Sequence, residues 1–369
     1  MKLKNIILTI ILSIFYPFSL LQKVEKDKIS FISLESKVLA HDFELINDGL
    51  VKSDHYKLEY ILFEYSSSLK NQFAYVLACI RQLFLINRSH LVLLDFNNFV
   101  VSKFKRKKGV KVLQVWHATG AIKQFGNTVK RDYKIQNYDY AIVNSEFFVD
   151  TFSRAFNVNK DNVKITGIPE TDKLFSAKYI EESITDVYEK YPLLKDKKII
   201  TYAPTFRGRI GTGFHEIEID LDFVQKSLGN DYAIIYKPHP LITQSKYQNN
   251  SNIIYMQHES IKKVFAITDI LVSDYSAIIF DYMVTQKPLI AYVPDLADYR
   301  LTPGIIFDYE AEFPGAIVKT DQDLVNEISM IDCDEEKHSK LYDKVFQYRD
   351  GRSLQRVIEL IDDIMGEKK

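Results

Sequence analysis

Cysteine is nearly missing from this chain: Cys79 and Cys333 are the only two in 369 residues. They stand far apart, with no CxxC and no Cys/His spacing of a zinc site. That excludes a disulfide scaffold and a structural zinc, and fits a reduced compartment. An excess of charge of either sign is missing too. With 48 basic and 49 acidic residues the net charge is −1, so no whole-molecule field exists to hold nucleic acid by neutralising its backbone, and any anion must be held locally. The basic run Lys103 to Lys108 carries no RNA-binding motif and reads as solvated surface or a lipid-headgroup contact. No GxxxxGK[ST], GxSxG or HExxH occurs, which excludes P-loop ATP chemistry and the common serine-hydrolase and zinc-protease signatures. Internal repeats and low-complexity tracts are absent.

What is present suits two cores. Hydrophobic residues make up 46% of the chain and charged ones 26%, a globular composition, and the length fits two α/β domains of about 150 residues with a tail. The one long uncharged run is Asn5 to Gln22, flanked by Lys2, Lys4, Lys23 and Lys26. As a helix it spans about 27 Å, less than the roughly 30 Å of a bilayer core, and Pro17 kinks or ends it. No A-x-A cleavage site follows, and the chain enters a strand-like KISFISL. We expect a helix lying in the membrane plane or shallowly anchored, against a core helix, a true span or a secretory signal. The flanking lysines place it on the cytoplasmic face.

Beyond it, Lys28–Leu34, Tyr60–Phe63, Leu91–Phe96, Lys111–Trp116, Tyr140–Val143 and Val163–Thr166 read as short strands, with a helical pattern over Leu69–Leu85. A charged helical stretch, Lys178–Pro192, suits a bridge. A second series follows at Lys198–Tyr202, Tyr232–Tyr236, Ile253–Tyr255, Ile270–Val272 and Leu289–Tyr292. These apolar runs read as buried parallel strands, and Arg352–Met365 as a closing helix. Ligands of such sheets bind beyond the carboxyl ends of the strands.

Four motifs stand at those ends. In the first, Val115 to Lys123, His117 follows Trp116 where a strand runs out and a helix is expected to start. The small Thr119 and Gly120 admit a ligand to backbone amides, and Lys123 closes the motif. Read alone, a single His after Trp is more often a packed loop residue. The second, Tyr202 to Gly208, carries Pro204, Thr205 and Arg207; a guanidinium there is a phosphate clamp or a solvated loop charge. In the third, Tyr236 to Pro240, two prolines stiffen the turn around His239 and Lys237 stands beside it. The alternative is a Pro-rich turn that only ends a strand. In the fourth, Val272 to Asp281, the residues Ser273, Asp274, Tyr275 and Ser276 precede an apolar helix. Ser273, Asp274 and Ser276 are of N-cap type, and capping is compatible with phosphate binding. Asp281 is expected about two turns into that helix. Arg300, near Asp295 and Asp298, and Arg349-Asp350-Gly351-Arg352 are weaker signals that surface charge explains as well.

Taken in order, WHATGAIKQFG, YAPTFRG, YKPHP, VSDYSAIIFDY and RDGRS resemble the CDP-glycerol glycerophosphotransferase family of teichoic-acid enzymes, from about Val112 to Arg356. The resemblance implies a GT-B-like α/β fold, two Rossmann-type domains facing a cleft, with an N-terminal membrane-associating segment (1–24) and a C-terminal closing helix (346–369). Residues 25–177 would receive the acceptor and 178–345 bind CDP-glycerol. It further implies His117 and His239 as the essential pair, with Thr205, Arg207, Ser273, Asp274, Ser276 and Asp281 around the donor. WHATG, where polymerising members carry a WHGTP-like motif, looks like the branch that adds a first glycerol phosphate. On this reading CDP-glycerol is the donor, an undecaprenyl-diphosphate-linked disaccharide the acceptor, and no cofactor or metal takes part. The protein sits peripherally on the cytoplasmic face of the cell membrane, against inner-surface lipids and other teichoic-acid enzymes. The competing readings are a poly(glycerol- or ribitol-phosphate) transferase, a GT-B glycosyltransferase or sugar-nucleotide epimerase, and a catalytically silent scaffold.

Overall fold

The computed structural model describes residues 2–64, 68–209, 213–239, 252–331 and 335–366; Pro240 and Cys333 lie outside them. The chain forms two α/β units. The first comprises residues 1–118, 125–172 and 346–369, the second residues 119–124 and 173–345. The border expected between 177 and 178 thus falls after Asp172. The closing helix is no separate element but part of the first unit, and residues 119–124 belong to the second.

In the first unit six strands, β1 (Glu25–Ser33), β2 (Lys57–Leu62), β3 (Ser89–Leu94), β4 (Lys111–Gln114), β5 (Tyr140–Val143) and β6 (Val163–Ile165), form one parallel sheet of order β2-β1-β3-β4-β5-β6. Around it stand α1 (Lys2–Ser19), α2 (Asp42–Ser53), α3 (Leu69–Arg88), α4 (Phe99–Lys103) and α5 (Glu146–Phe156). The order reverses between β1 and β3, which makes their carboxyl ends the natural ligand crevice of this sheet. The C-terminal helix Ser353–Met365 sends Val357 and Ile361 into the core with Ile29, Phe31, Leu91 and Leu93. Its orphan amides explain RDGRS: Ser353 N and Leu354 N both donate to the Asp172 carboxylate at 2.9 Å, a cap supplied from elsewhere in the chain.

Helix α1 includes Pro17 and ends two residues later. Lys4 Nζ donates to Gln72 Oε1 at 3.0 Å and Asn87 Nδ2 donates to Ser19 Oγ at 3.0 Å. Each pair is separated by 68 residues, so α1 and α3 run parallel and in step. Leu8 and Leu12 are buried, while Leu3, Ile6, Ile7, Ile10, Ile14 and Phe18 are exposed. At about 100° per residue these two sets occupy opposite faces of the helix. Among the described residues no helix is long and apolar enough to cross a membrane.

The second unit holds β7 (Lys198–Ala203), the hairpin strands β8 (Arg207–Arg209) and β9 (Gly213–His215), and β10 (Tyr232–Tyr236), β11 (Ile253–Tyr255), β12 (Ile270–Ser273), β13 (Leu289–Tyr292) and β14 (Ala316–Val318). Its parallel sheet has the order β11-β10-β7-β12-β13-β14, that of dinucleotide-binding folds, with the reversal between β7 and β12. Helices α6 (Ala177–Lys190), α7 (Leu221–Leu228), α8 (Ile261–Ile267) and α9 (Ile278–Met283) cover it. The stretch expected to bridge is α6, which packs on α8 within this unit. Ile200, Tyr202, Ile234, Ile270, Val272 and Ile290 fill the core on one face.

Candidate active site

In the second unit the reversal point is a closed polar network. Ser273 Oγ, at the end of β12, donates to the Ala203 carbonyl at the end of β7, at 2.7 Å. Beyond Pro204, Thr205 gives its amide and its hydroxyl to the two oxygens of Asp274, at 2.8 and 2.9 Å. Arg207 Nη1 donates to Asp274 Oδ2 at 2.9 Å and to Thr205 Oγ1 at 2.7 Å, while Nε and Nη2 donate to Asp295 at 2.7 and 3.2 Å. Its guanidinium stands 5.1 and 4.8 Å from the ring centres of Tyr275 and Tyr299, which stack on each other at 3.7 Å. Burial disfavours the cation, but Asp295 and Asp274 outweigh it and hold Arg207 above its ordinary pKa. Tyr275 and Tyr309 hydroxyls complete the cluster, donating to Asp295 Oδ1 and the Asp274 carbonyl. Two carboxylates therefore engage Arg207, and Asp295 occupies the edge of the fork that a phosphate would take.

The fourth motif thus differs from its N-cap reading. Ser273 and Asp274 reach back to the β7 segment, and α9 starts from Ala277 without a side-chain cap. Only Ser276 Oγ approaches a helix amide, that of Ile278, at 3.5 Å. Asp281 is in the first turn of α9, because the helix begins at Ile278. It accepts from the Thr119 hydroxyl and, at 3.3 Å, from Lys262 Nζ of α8. Thr119, Lys262 and Asp281 are all buried, and the Thr119–Asp281 bond fixes the segment 119–124 on its unit.

A second cluster gathers around Phe206. His239 meets its ring edge-on at 4.7 Å, and Lys123 Nζ stands 5.4 Å from its centre. Lys123 is held by its backbone, bridged to Ile305, with Gln124 N donating to Gly304 O at 2.9 Å. Burial pushes its pKa down, against the pull of Asp274. Lys237 donates to the carbonyls of Met256 and Gln257 at 3.2 and 2.9 Å, and burial pushes its pKa down to about 8.

In the first unit no helix follows Trp116. The segment from Val115 to Phe125 is irregular, because Trp116 adopts φ 66°, a left-handed conformation foreign to a bulky residue and costing about 1–3 kcal/mol. The anion cradle expected at a helix start is therefore absent from this motif, and Gly120 is simply buried in the second unit. Phe125 and Phe156 pack on the indole at 5.0 and 5.2 Å, and Trp116 N donates to Gln114 Oε1 at 3.0 Å. The turn delivers the His117 ring onto Phe96, stacked at 4.2 Å, with Nδ1 3.0 Å from the Asp95 carbonyl oxygen.

Asp95 itself was not singled out from the sequence. It follows β3 at the reversal point of the first sheet. Burial pushes its carboxyl up to about 7, against a hydrogen bond from Ser33, and its Oδ1 has no partner among the described residues. The signal was the acid closing the apolar run Leu91 to Leu94. Asp295 is named in the sequence only as a surface neighbour of Arg300, whereas its partner is Arg207; Tyr299 and Lys262 were missed as well, and nothing in IKKVFAI distinguishes Lys262 from Lys263. Among the described residues no cluster of three or more His, Cys, Asp or Glu side chains is arranged to hold a metal ion.

The CDP-glycerol:poly(glycerophosphate) glycerophosphotransferase family model matches residues 14–363. The chain is 29% identical to a teichoic acid ribitol-phosphate primase of Bacillus spizizenii over 94% of each chain. It is 27% identical to a teichoic acid glycerol-phosphate primase of Bacillus subtilis, over 84% of this chain and 86% of the other. Against curated ribitol-phosphate polymerases it spans little more than half of their length. In fold it is similar to the wall teichoic acid polymerase TagF, with a TM-score of 0.76 at 22% identity over 99% of this chain and 96% of that one. The family match covers both sheets and all five sequence motifs, and the chain accordingly belongs to the CDP-glycerol:poly(glycerophosphate) glycerophosphotransferase family, enzymes that transfer glycerol or ribitol phosphate in teichoic-acid synthesis.

Proposed function

We propose that the protein is a primase, which moves one glycerol phosphate from CDP-glycerol to an undecaprenyl-diphosphate-linked disaccharide. The acceptor hydroxyl attacks the β-phosphorus, the bond from that phosphorus to the bridging oxygen breaks, and CMP leaves with the electron pair. His117 takes the hydroxyl proton. The observation that carries the reading is the bond of His117 Nδ1 to the Asp95 carbonyl. A carbonyl only accepts, so Nδ1 bears the hydrogen and Nε2 keeps the lone pair a base needs.

The donor belongs to the second unit, whose sheet has the nucleotide-binding order. Lys237, Lys123 and His239 neutralise its phosphates, in place of a divalent metal. Arg207 acts with Thr205, Asp274 and Tyr275 as the rigid floor on which that part of the unit is built. A chelator leaves turnover unchanged on this reading; activity lost in chelator and restored only by a divalent cation contradicts it.

The match to primases over most of both chains supports single-unit transfer. A ribitol-phosphate donor or a polymerase reaction is the second reading, favoured by the identity to such relatives. Purified protein given CDP-glycerol or CDP-ribitol and the lipid-linked disaccharide decides by product mass. One added glycerol phosphate supports the primase; a ladder, or ribitol alone, sinks it.

The outward apolar face of α1, with lysines at both ends of the helix, supports peripheral attachment to the cytoplasmic membrane surface. Other teichoic-acid enzymes acting on the same lipid are the expected partners there.

A further inference from the structure

A groove on the first unit lies at the free edge of its sheet. It encloses about 520 Å³, within the roughly 300–1,000 Å³ usual for small-molecule sites. Its floor is β2, the edge strand, with Tyr60, Ile61 and Leu62, continued by Phe63. Its wall is α3, which presents Ala74, Leu77, Ala78 and Arg81. Those positions follow the i, i+3, i+4, i+7 pattern of one helix face, and the two alanines leave the space open.

Two further observations say what fits. Along the rim, Leu69, Phe73 and Leu77 expose 86%, 68% and 47% of their surface, on the helix that runs in step with α1 and its outward row of Ile6, Ile7, Ile10 and Ile14. A groove continuous with such apolar surface is filled from a bilayer more readily than from water. Arg81, the only charged residue in the lining, is exposed and has no hydrogen bond or ion pair among the described residues. A guanidinium at the end of an apolar channel matches an anionic phosphate head on an apolar tail.

We propose that this groove receives the first part of the isoprenoid chain of a lipid-linked diphosphate, with Arg81 against its phosphates. The inference rests on the lipid-linked acceptor of the functional reading and adds where its chain is held.

The test compares two acceptors carrying the same disaccharide diphosphate, one on a long isoprenoid in vesicles and one on a short, water-soluble alkyl chain. Ala74→Trp fills the groove from a half-buried position, and Arg81→Ala removes the exposed cation. Both variants are expected to raise the KM of the long-chain acceptor by at least about tenfold, the effect of losing a few methylene contacts or one charge-assisted bond. In the Ala74→Trp protein the short-chain KM and vesicle sedimentation stay at wild-type values. Equal effects on both acceptors, no effect on either, or loss of vesicle binding in that variant overturns the proposal. If the wild-type protein turns over neither acceptor, the functional reading itself fails, and the groove is then tested by direct binding of a long-chain prenyl phosphate. Unchanged affinity in Ala74→Trp rejects it.

Discussion

His117 Nδ1 lies 3.0 Å from the main-chain oxygen of Asp95, so the loop after one strand sets the tautomer of a side chain placed by the next. Phe96, the neighbour of Asp95, stacks on the same ring at 4.2 Å. If this imidazole is the base, His117→Ala lowers kcat by at least about a hundredfold while CDP-glycerol binding persists. Turnover and donor affinity, measured separately, check this. Near-normal kcat ends the assignment.

Asp274 holds Thr205 and Arg207 with its side chain only 2% exposed. Asp274→Ala leaves a buried guanidinium with only Asp295, and is expected to destabilise the protein by about 3 kcal/mol. Denaturant midpoints give the value. A loss below about 1 kcal/mol, the range of exposed ion pairs, shows that the network is not rigidly held.

Lys237 has its pKa pushed down to about 8 by burial. Below that pH it is an ammonium able to hold phosphate; above it the charge is lost. The kcat/KM for the donor, which reports the free enzyme, is expected to fall as pH rises through about 8. Lys237→Arg removes the fall, since a guanidinium stays charged. A profile flat to pH 9.5 or so in the wild type argues against this cation touching the donor.

Ile10 and Ile14 point outward from α1, 60% and 62% exposed. Replacing both by Asp leaves the packed face of Leu8 and Leu12 intact, so the fold is retained. Co-sedimentation with anionic vesicles should drop by at least about tenfold, since each carboxylate opposes insertion of the apolar face. Unchanged sedimentation refutes attachment through this helix.

The apolar runs were enough to place eleven of the strands, because a strand buried on both faces must read as continuous Val, Ile, Leu and aromatics. Three escaped: the edge strand β14, Ala316 to Val318, and the short hairpin strands β8 and β9, which carry no such apolar run. The turn motifs after β4, β7, β10 and β12 were legible for a related reason: His117, Arg207, His239 and Asp274 interrupt apolar stretches where a chain has no packing need for them. The partner each of these residues has was not legible. Asp295 is 88 residues from Arg207, and Asp95 is 22 from His117. Nor does local propensity anticipate Trp116 in a left-handed turn, which packing against Phe125 and Phe156 sustains and which removed the helix expected there.

By itself, then, the order of residues determined the two parallel sheets, the strand ends that carry the chemistry, and an apolar first helix too short to span a bilayer comfortably. Tertiary structure alone decided that this helix lies along α3, that the last helix closes the first unit through Asp172, and that Thr119 is tied to Asp281. Periodicity and motif are local properties of the chain. Hydrogen bonds and ion pairs between residues far apart in sequence exist only once the fold has brought them within about 3 Å.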